Sequence, residues 1–174
     1  MPWSNGPLTV YHGCDDTSAN NIVTIGVDLA YCKPLTDFGE GFYTTTNLAQ
    51  AMSWANARSR RLNCQLATAR ATVVQFDIDR TQLSQCKTLG FVTEGSAPTS
   101  DYWEFVRHCR HGGTHTVPPP EKYYDVVFGL VTIWPQFFVI KDCDQISFHT
   151  DDGVNLLGQR HILATAPRGS HYFP

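Results

Sequence analysis

The apolar residues of this chain switch between a period of two and a period near 3.6, and the switches mark out its elements. Leu8-Thr9-Val10-Tyr11-His12 reads as a short strand ending at Gly13. Asp16, Thr17 or Ser18 then caps a helix that runs to about Ile25, with Gly26 just past its end. Tyr31 to Gly41 is a loop, broken by Pro34 and two glycines. Phe42-Tyr43-Thr44-Thr45 is a strand, and Thr46 or Asn47 caps a second helix. Helical spacing puts Leu48, Ala51, Met52 and Ala55 on one face of that helix.

Thr72 to Ile78 is dense in β-formers, and a weaker strand follows from about Lys87 to Phe91. Ser100 to Val106 opens a short helix, after which His111-Gly112-Gly113 and Pro118-Pro119-Pro120 mark an irregular loop. Three β-rich runs close the pattern: Asp125 to Val131, Phe137 to Ile140, and Gln145 to His149. Helices early and strands late, without regular βαβ alternation, predict an α+β fold with mostly antiparallel sheet. Residues 1–174 read as one domain, with the triple-proline loop as its single candidate insertion.

Composition narrows the function classes. A net charge of −3 argues against general affinity for nucleic acid or anionic membrane. No apolar run approaches the roughly 18 residues needed to span a bilayer, so no membrane partner is expected. Met1 to Gly6 shows no basic region leading into an apolar one, so no signal peptide is visible and a cytoplasmic protein or a released effector is expected. The six cysteines form no Cys-x-x-Cys pair, and their oxidation state stays open. No acid occurs between Glu40 and Asp77, whereas Arg58, Arg60, Arg61 and Arg70 do; this is read chiefly as a solvated helix end.

Candidate chemistry concentrates in Tyr11-His12-Gly13 and in Asp37-Phe38-Gly39-Glu40-Gly41-Phe42-Tyr43, followed by Trp54. Glycines before Tyr43 let the backbone turn tightly and approach a ligand. Two aromatic rings, on a strand start and on the next helix, suit a flat cationic ring such as nicotinamide, at roughly 0.5–2 kcal/mol per dried face. Taken singly, His12, Tyr43 and Trp54 read better as structural residues, and only the whole string favours a ligand. Asp37-Phe38-Gly39 lacks every other kinase motif, and no Gly-x-Gly-x-x-Gly exists for a Rossmann site. His108-Cys109-Arg110-His111-Gly112-Gly113-Thr114-His115 has half of a zinc pattern without a second half, so no metal is expected.

Together these segments resemble the catalytic domain of diphtheria-toxin-like ADP-ribosyltransferases, the superfamily that includes the poly-ADP-ribose polymerases and is labelled by a His–Tyr–Glu triad. The likeness is greatest to a small-domain branch of that superfamily. It is carried by Leu8 to Gly13, Gly26-Val27-Asp28-Leu29, Asp37 to Thr45, Gln50-Ala51 with Trp54-Ala55, Tyr124 to Gly129, and Asp144 to Thr150. The resemblance implies two small, mostly antiparallel sheets split around an NAD cleft, with NAD as co-substrate and no metal. It implies that His12 bonds the 2′-hydroxyl of the adenine-side ribose. Gly13 would offer its backbone N–H and C=O to the nicotinamide carboxamide, while Tyr43 and Trp54 stack on the ring. Phe42 and Ala51 complete the cofactor-binding set.

Gln145 stands where polymerising relatives carry glutamate. An amide oxygen still accepts a hydrogen bond from the nicotinamide-side ribose but lacks the charge that steadies an oxocarbenium-like transition state. The expected function is therefore mono-ADP-ribosyl transfer, or NAD glycohydrolysis without an acceptor, and Gln145→Glu is expected to cleave at least as well. Glu94, Asp101, Asp142 and Asp144 are alternative carboxylates, and Arg107 or Arg110 a candidate contact for acceptor or pyrophosphate. No Glu-x-Glu identifies an acceptor, which stays open among protein, nucleic acid and small molecule, as does the oligomeric state. A catalytically idle NAD- or ADP-ribose-binding module and an RNA 2′-phosphotransferase-like enzyme are the alternatives.

Overall fold

The structure, a computed structural model, describes residues 6–64, 68–91, 93–94, 97–115, 123–167 and 169–174. In chain order the elements are β1 (Leu8–Asp15), α1 (Asp16–Thr24), β2 (Phe42–Thr44), α2 (Leu48–Asn63), β3 (Ala71–Ile78), α3 (Arg80–Leu83), β4 (Thr88–Gly90), β5 (Thr93–Glu94) and β6 (Ala97–Pro98). They continue with α4 (Ser100–Arg110), β7 (Val126–Ile133), β8 (Phe138–Phe148), α5 (Asp151–Asn155) and β9 (Arg160–Thr165). The fold is α+β, with one three-stranded and one four-stranded sheet and a small two-stranded ribbon. β1–β3, β3–β9, β5–β6 and β7–β8 pair antiparallel, whereas β4 and β7 run parallel. The triple proline lies outside the described residues.

The residues divide into two compact units. The first is Met1–Val27, Thr44–Leu83 and Leu156–Pro174; the second is Asp28–Tyr43 and Ser84–Asn155. In the first unit β3 is the central strand of the order β1-β3-β9, and residues on both of its faces are buried, without a break from Ala71 to Val74. Ala71, Val73, Val74, Phe76 and Ile78 are all fully buried there. α2 lies on one face of this sheet, with Ala51 and Ala55 against Ala71 and Val73. Its N-cap is Asn47, whose side chain accepts from the Gln50 N–H. α1 is capped by Asp15, one residue before the expected cap, through bonds from the Ser18 N–H and hydroxyl. Gly26 follows that helix at φ 121°, a left-handed conformation that other residues adopt only with strain.

The second unit is organised by the sheet β2-β8-β7-β4 and by a core of Phe38, Tyr102, Val106 and Val127. The two apolar runs expected as separate strands, at 137–140 and 145–149, belong to the single strand β8. The polar stretch from Lys141 to Asp144 conceals that continuity, as does Asp142 at φ 58°. Strand β9, which the pattern does not announce, is an edge strand with no fully buried residue, joined to β3 through a bulge. Without one buried face a strand shows no alternation.

Candidate functional site

The expected site residues divide between the units: His12, Gly13, Ala51 and Trp54 in the first, Phe42, Tyr43 and Gln145 in the second.

Gly13 sits where β1 passes α2. A Cβ on it would stand 2.0 Å from the Ala51 carbonyl oxygen and 2.8 Å from the Ala55 nitrogen, so no larger residue fits. Ala51 is fully buried in the same contact; it supplies closeness, and its own side chain is covered. The direction of Gly13's peptide groups follows from its neighbours. Two residues earlier, the Tyr11 N–H donates to the Thr45 carbonyl at 2.8 Å and the Thr45 N–H donates back at 2.9 Å, on the edge of β1 away from β3. An antiparallel ladder alternates its bonding direction residue by residue, so Gly13 turns its N–H and C=O to that same outer edge. No described residue takes them there.

His12, opposite Val74, points to the sheet face that α2 does not cover. It is half-buried and has a hydrogen-bonding or electrostatic partner of its own. Trp54 is half-buried on α2 and stacks on no described ring.

In the second unit the glycine-rich loop is a self-braced turn. The Tyr43 hydroxyl bonds Thr36 Oγ1 at 2.7 Å, accepts from the Phe38 N–H at 2.9 Å and donates to the Gly39 carbonyl at 2.8 Å. The Phe38 amide brings its own proton and the Tyr43 proton goes to the Gly39 carbonyl, so the hydroxyl is engaged as donor and as acceptor. Burial raises its pKa. The ring stacks on Phe38, 6.3 Å away at 25°, and meets His149 edge-on. Gly39 adopts φ 81°. At Gly41 a Cβ would lie 2.5 Å from His149 Nδ1 and 2.9 Å from the Phe148 carbonyl oxygen. Phe42 is buried.

Two buried histidines hold this loop from behind. His149 Nδ1 faces the Glu40 carbonyl at 2.7 Å, so it carries the proton, and Nε2 accepts from the Ser147 hydroxyl at 2.7 Å. His115 takes the opposite tautomer: Nδ1 accepts from the Tyr124 N–H at 3.0 Å and Nε2 donates to the Phe38 carbonyl at 2.7 Å. Burial, with His115 4.5 Å away ring to ring, holds the His149 pKa at about 3. Burial lowers that of His115 as well. Both rings are neutral at pH 7.

Gln145 is 4% exposed, and its amide is fixed in one orientation. Nε2 donates to Asp37 Oδ2 at 2.8 Å and to the Leu130 carbonyl at 2.7 Å; two acceptors at one atom identify it as the nitrogen. Asp37 is itself buried. Its Oδ1 accepts from Arg110 Nε at 2.9 Å, Arg110 Nη2 at 2.5 Å and Thr132 Oγ1 at 2.6 Å, and its Oδ2 accepts from the Thr132 N–H at 3.1 Å. This arrangement changes two expectations. A glutamate at position 145 would face a carboxylate, so Gln145→Glu is not a simple gain of charge. Arg110, read as a contact for acceptor or pyrophosphate, is committed to Asp37 and the Leu35 carbonyl.

Arg107 lies over the Phe137 ring. In the histidine-rich segment His108 bonds the Thr114 carbonyl and His111 the Arg107 carbonyl. Among the described residues no three His, Cys, Asp or Glu side chains gather as a metal site. All six cysteines are free thiols, and burial pushes Cys14 up to about 12. No helix among the described residues is long and apolar enough to cross a membrane. Asp37, His115 and His149 stand in segments the sequence singles out, but their buried contacts do not show there: Asp37 meets its partners 73, 95 and 108 positions away, and His149 meets Glu40 109 positions away.

Residues 8–133 match the family described as "Protein of unknown function (DUF3990)", and the chain belongs to that family. The match covers β1 to β7 and stops short of Gln145. No curated protein and no solved structure matches the chain.

Proposed function

We propose that this member of the DUF3990 family is a mono-ADP-ribosyltransferase that uses NAD as co-substrate, and that it hydrolyses NAD when no acceptor is present. The finer fold reading that goes with it is the split ADP-ribosyltransferase fold with an NAD cleft. The observation that carries the proposal is the outer edge of β1. Gly13 there turns outward an N–H and a C=O that no described residue takes. That donor–acceptor pair is complementary to a primary carboxamide, which presents one acceptor and two donors.

In this reading His12 binds the adenine-side ribose and Tyr43 and Trp54 stack on the nicotinamide, while the buried Phe42 and Ala51 support the site from behind. The oxygen of Gln145 accepts from the 2′-hydroxyl of the other ribose. The bond between ribose C1′ and the pyridinium nitrogen breaks, and its electron pair stays with nicotinamide, which leaves neutral. A lone pair of the acceptor, or of water, forms the new bond to C1′ and the nucleophile gives up its proton. The braced Tyr43 hydroxyl keeps its ring from swinging, so stacking costs little ordering entropy on binding.

The missing carboxylate favours one second reading, an idle NAD- or ADP-ribose-binding module. Incubation with NAD and chromatography of released nicotinamide separates the two. Tyr43→Ala is expected to cut nicotinamide affinity roughly tenfold, from the loss of one stacked face. No nicotinamide release and no NAD binding by the unaltered chain would refute both readings.

A further inference from the structure

We propose that Asp37 is the positioning residue of Gln145, and that the two act as a divided glutamate: a neutral acceptor oxygen with the carboxylate one hydrogen bond behind it. The proposal rests on the ADP-ribosyl-transfer reading for what the oxygen contacts, whereas the coupling of the pair rests on geometry alone. Both N–H bonds of Gln145 run inward, to Asp37 Oδ2 and to the Leu130 carbonyl. A flipped amide would set its oxygen against both acceptors, so one orientation is enforced. No described donor reaches Oε1. Among the described residues the fully sealed side-chain atoms without a partner are Ser59 Oγ and Arg160 Nε, and Oε1 is not one of them. What Gln145 presents is therefore an acceptor only, suited to a neutral hydroxyl such as that of a ribose.

Asp37 does more than hold the amide. A carboxylate on the N–H side polarises an amide and raises the electron density of its oxygen. Arg110 and Thr132 fix Asp37 in turn, and the Tyr102 hydroxyl donates to the Leu130 carbonyl that shares the Gln145 nitrogen. The same geometry explains why glutamate is excluded from position 145. Its nearer oxygen would stand about 2.8 Å from Asp37 Oδ2 and 2.7 Å from the Leu130 carbonyl, with a donor to neither. Two carboxylates so placed do not both ionise.

The experiment is a cycle of Asp37→Asn, Gln145→Glu and the double substitution, which moves the charge from position 37 to position 145. Carboxyl carbon NMR titrates the group introduced by Gln145→Glu, and nicotinamide release gives kcat and KM for NAD against pH. In the Gln145→Glu variant the new carboxyl is expected to titrate about two pH units above the ordinary range. It is expected to fall by at least one unit when Asp37→Asn is added. The double variant is expected to recover at least tenfold in kcat over the better single variant, with less change in KM. An ordinary titration in Gln145→Glu, or single losses that simply multiply in the double variant, would overturn the pairing. If the unaltered chain neither binds nor cleaves NAD, the functional reading fails while the carboxyl titration still decides the coupling.

Discussion

Lowering the pH from 7 to 5 is expected to weaken the fold through His149. Its ring is buried as a neutral donor–acceptor, with Nδ1–H on the Glu40 carbonyl and Nε2 accepting from Ser147. A second proton on Nε2 would force the Ser147 hydroxyl to turn its own proton to the Val127 carbonyl, 3.3 Å away, and would charge a group next to His115. The pKa is about 3 in the folded chain, against about 6.5 for an unfolded histidine. The folded pKa is the depressed one, so the stability is complete above about pH 6.5 and is lost as the pH falls towards 3. Integrating the difference gives about 2 kcal/mol lost at pH 5 and about 5 kcal/mol once the pH is below 3. His115 shifts the same way and adds to the loss. Guanidinium unfolding followed by circular dichroism at pH 7 and pH 5 measures it. Gln at position 149 offers the same donor and acceptor without titrating, so His149→Gln is expected to lower stability at pH 7 but to flatten the pH dependence by about 2 kcal/mol. Equal losses between the two pH values in variant and unaltered chain would refute the assignment of a neutral, buried His149.

Two further substitutions test the loop that bears Tyr43. Gly41→Ala pushes a methyl to within 2.5 Å of His149 Nδ1 and 2.9 Å of the Phe148 carbonyl oxygen, and is expected to cost about 1–3 kcal/mol in guanidinium unfolding. Tyr43→Phe keeps the ring and removes the hydroxyl shared by Thr36, Phe38 and Gly39; thermal unfolding is expected to show a loss of about 1–3 kcal/mol, and hydrogen exchange at the Phe38 amide should accelerate.

Local signals were strong where one residue type has one physical use. Asn47 precedes an amphipathic run and caps α2, and the apolar spacing of Leu48, Ala51, Met52 and Ala55 matches the face against the first core. Gly13 and Gly41 stood out as glycines, but only the neighbouring Ala51 carbonyl and His149 ring give the reason for them. Gln145 was legible as a departure from a pattern and illegible as a structural element, because its meaning depends on Asp37, 108 residues earlier.

The order of residues alone determined the α+β class, the Asn47 cap and the elements β1, α1, β2, α2, β3, β4 and α4, since helix and strand periodicity and N-cap chemistry act within a few positions. Tertiary structure decided which polar groups face inward. Asp37, His115 and His149 are ordinary polar letters along the chain, and burial turns them into a fixed carboxylate and two neutral rings. Desolvation depends on what surrounds a group in space, and its surroundings are gathered from sequence positions too distant for any local pattern to record.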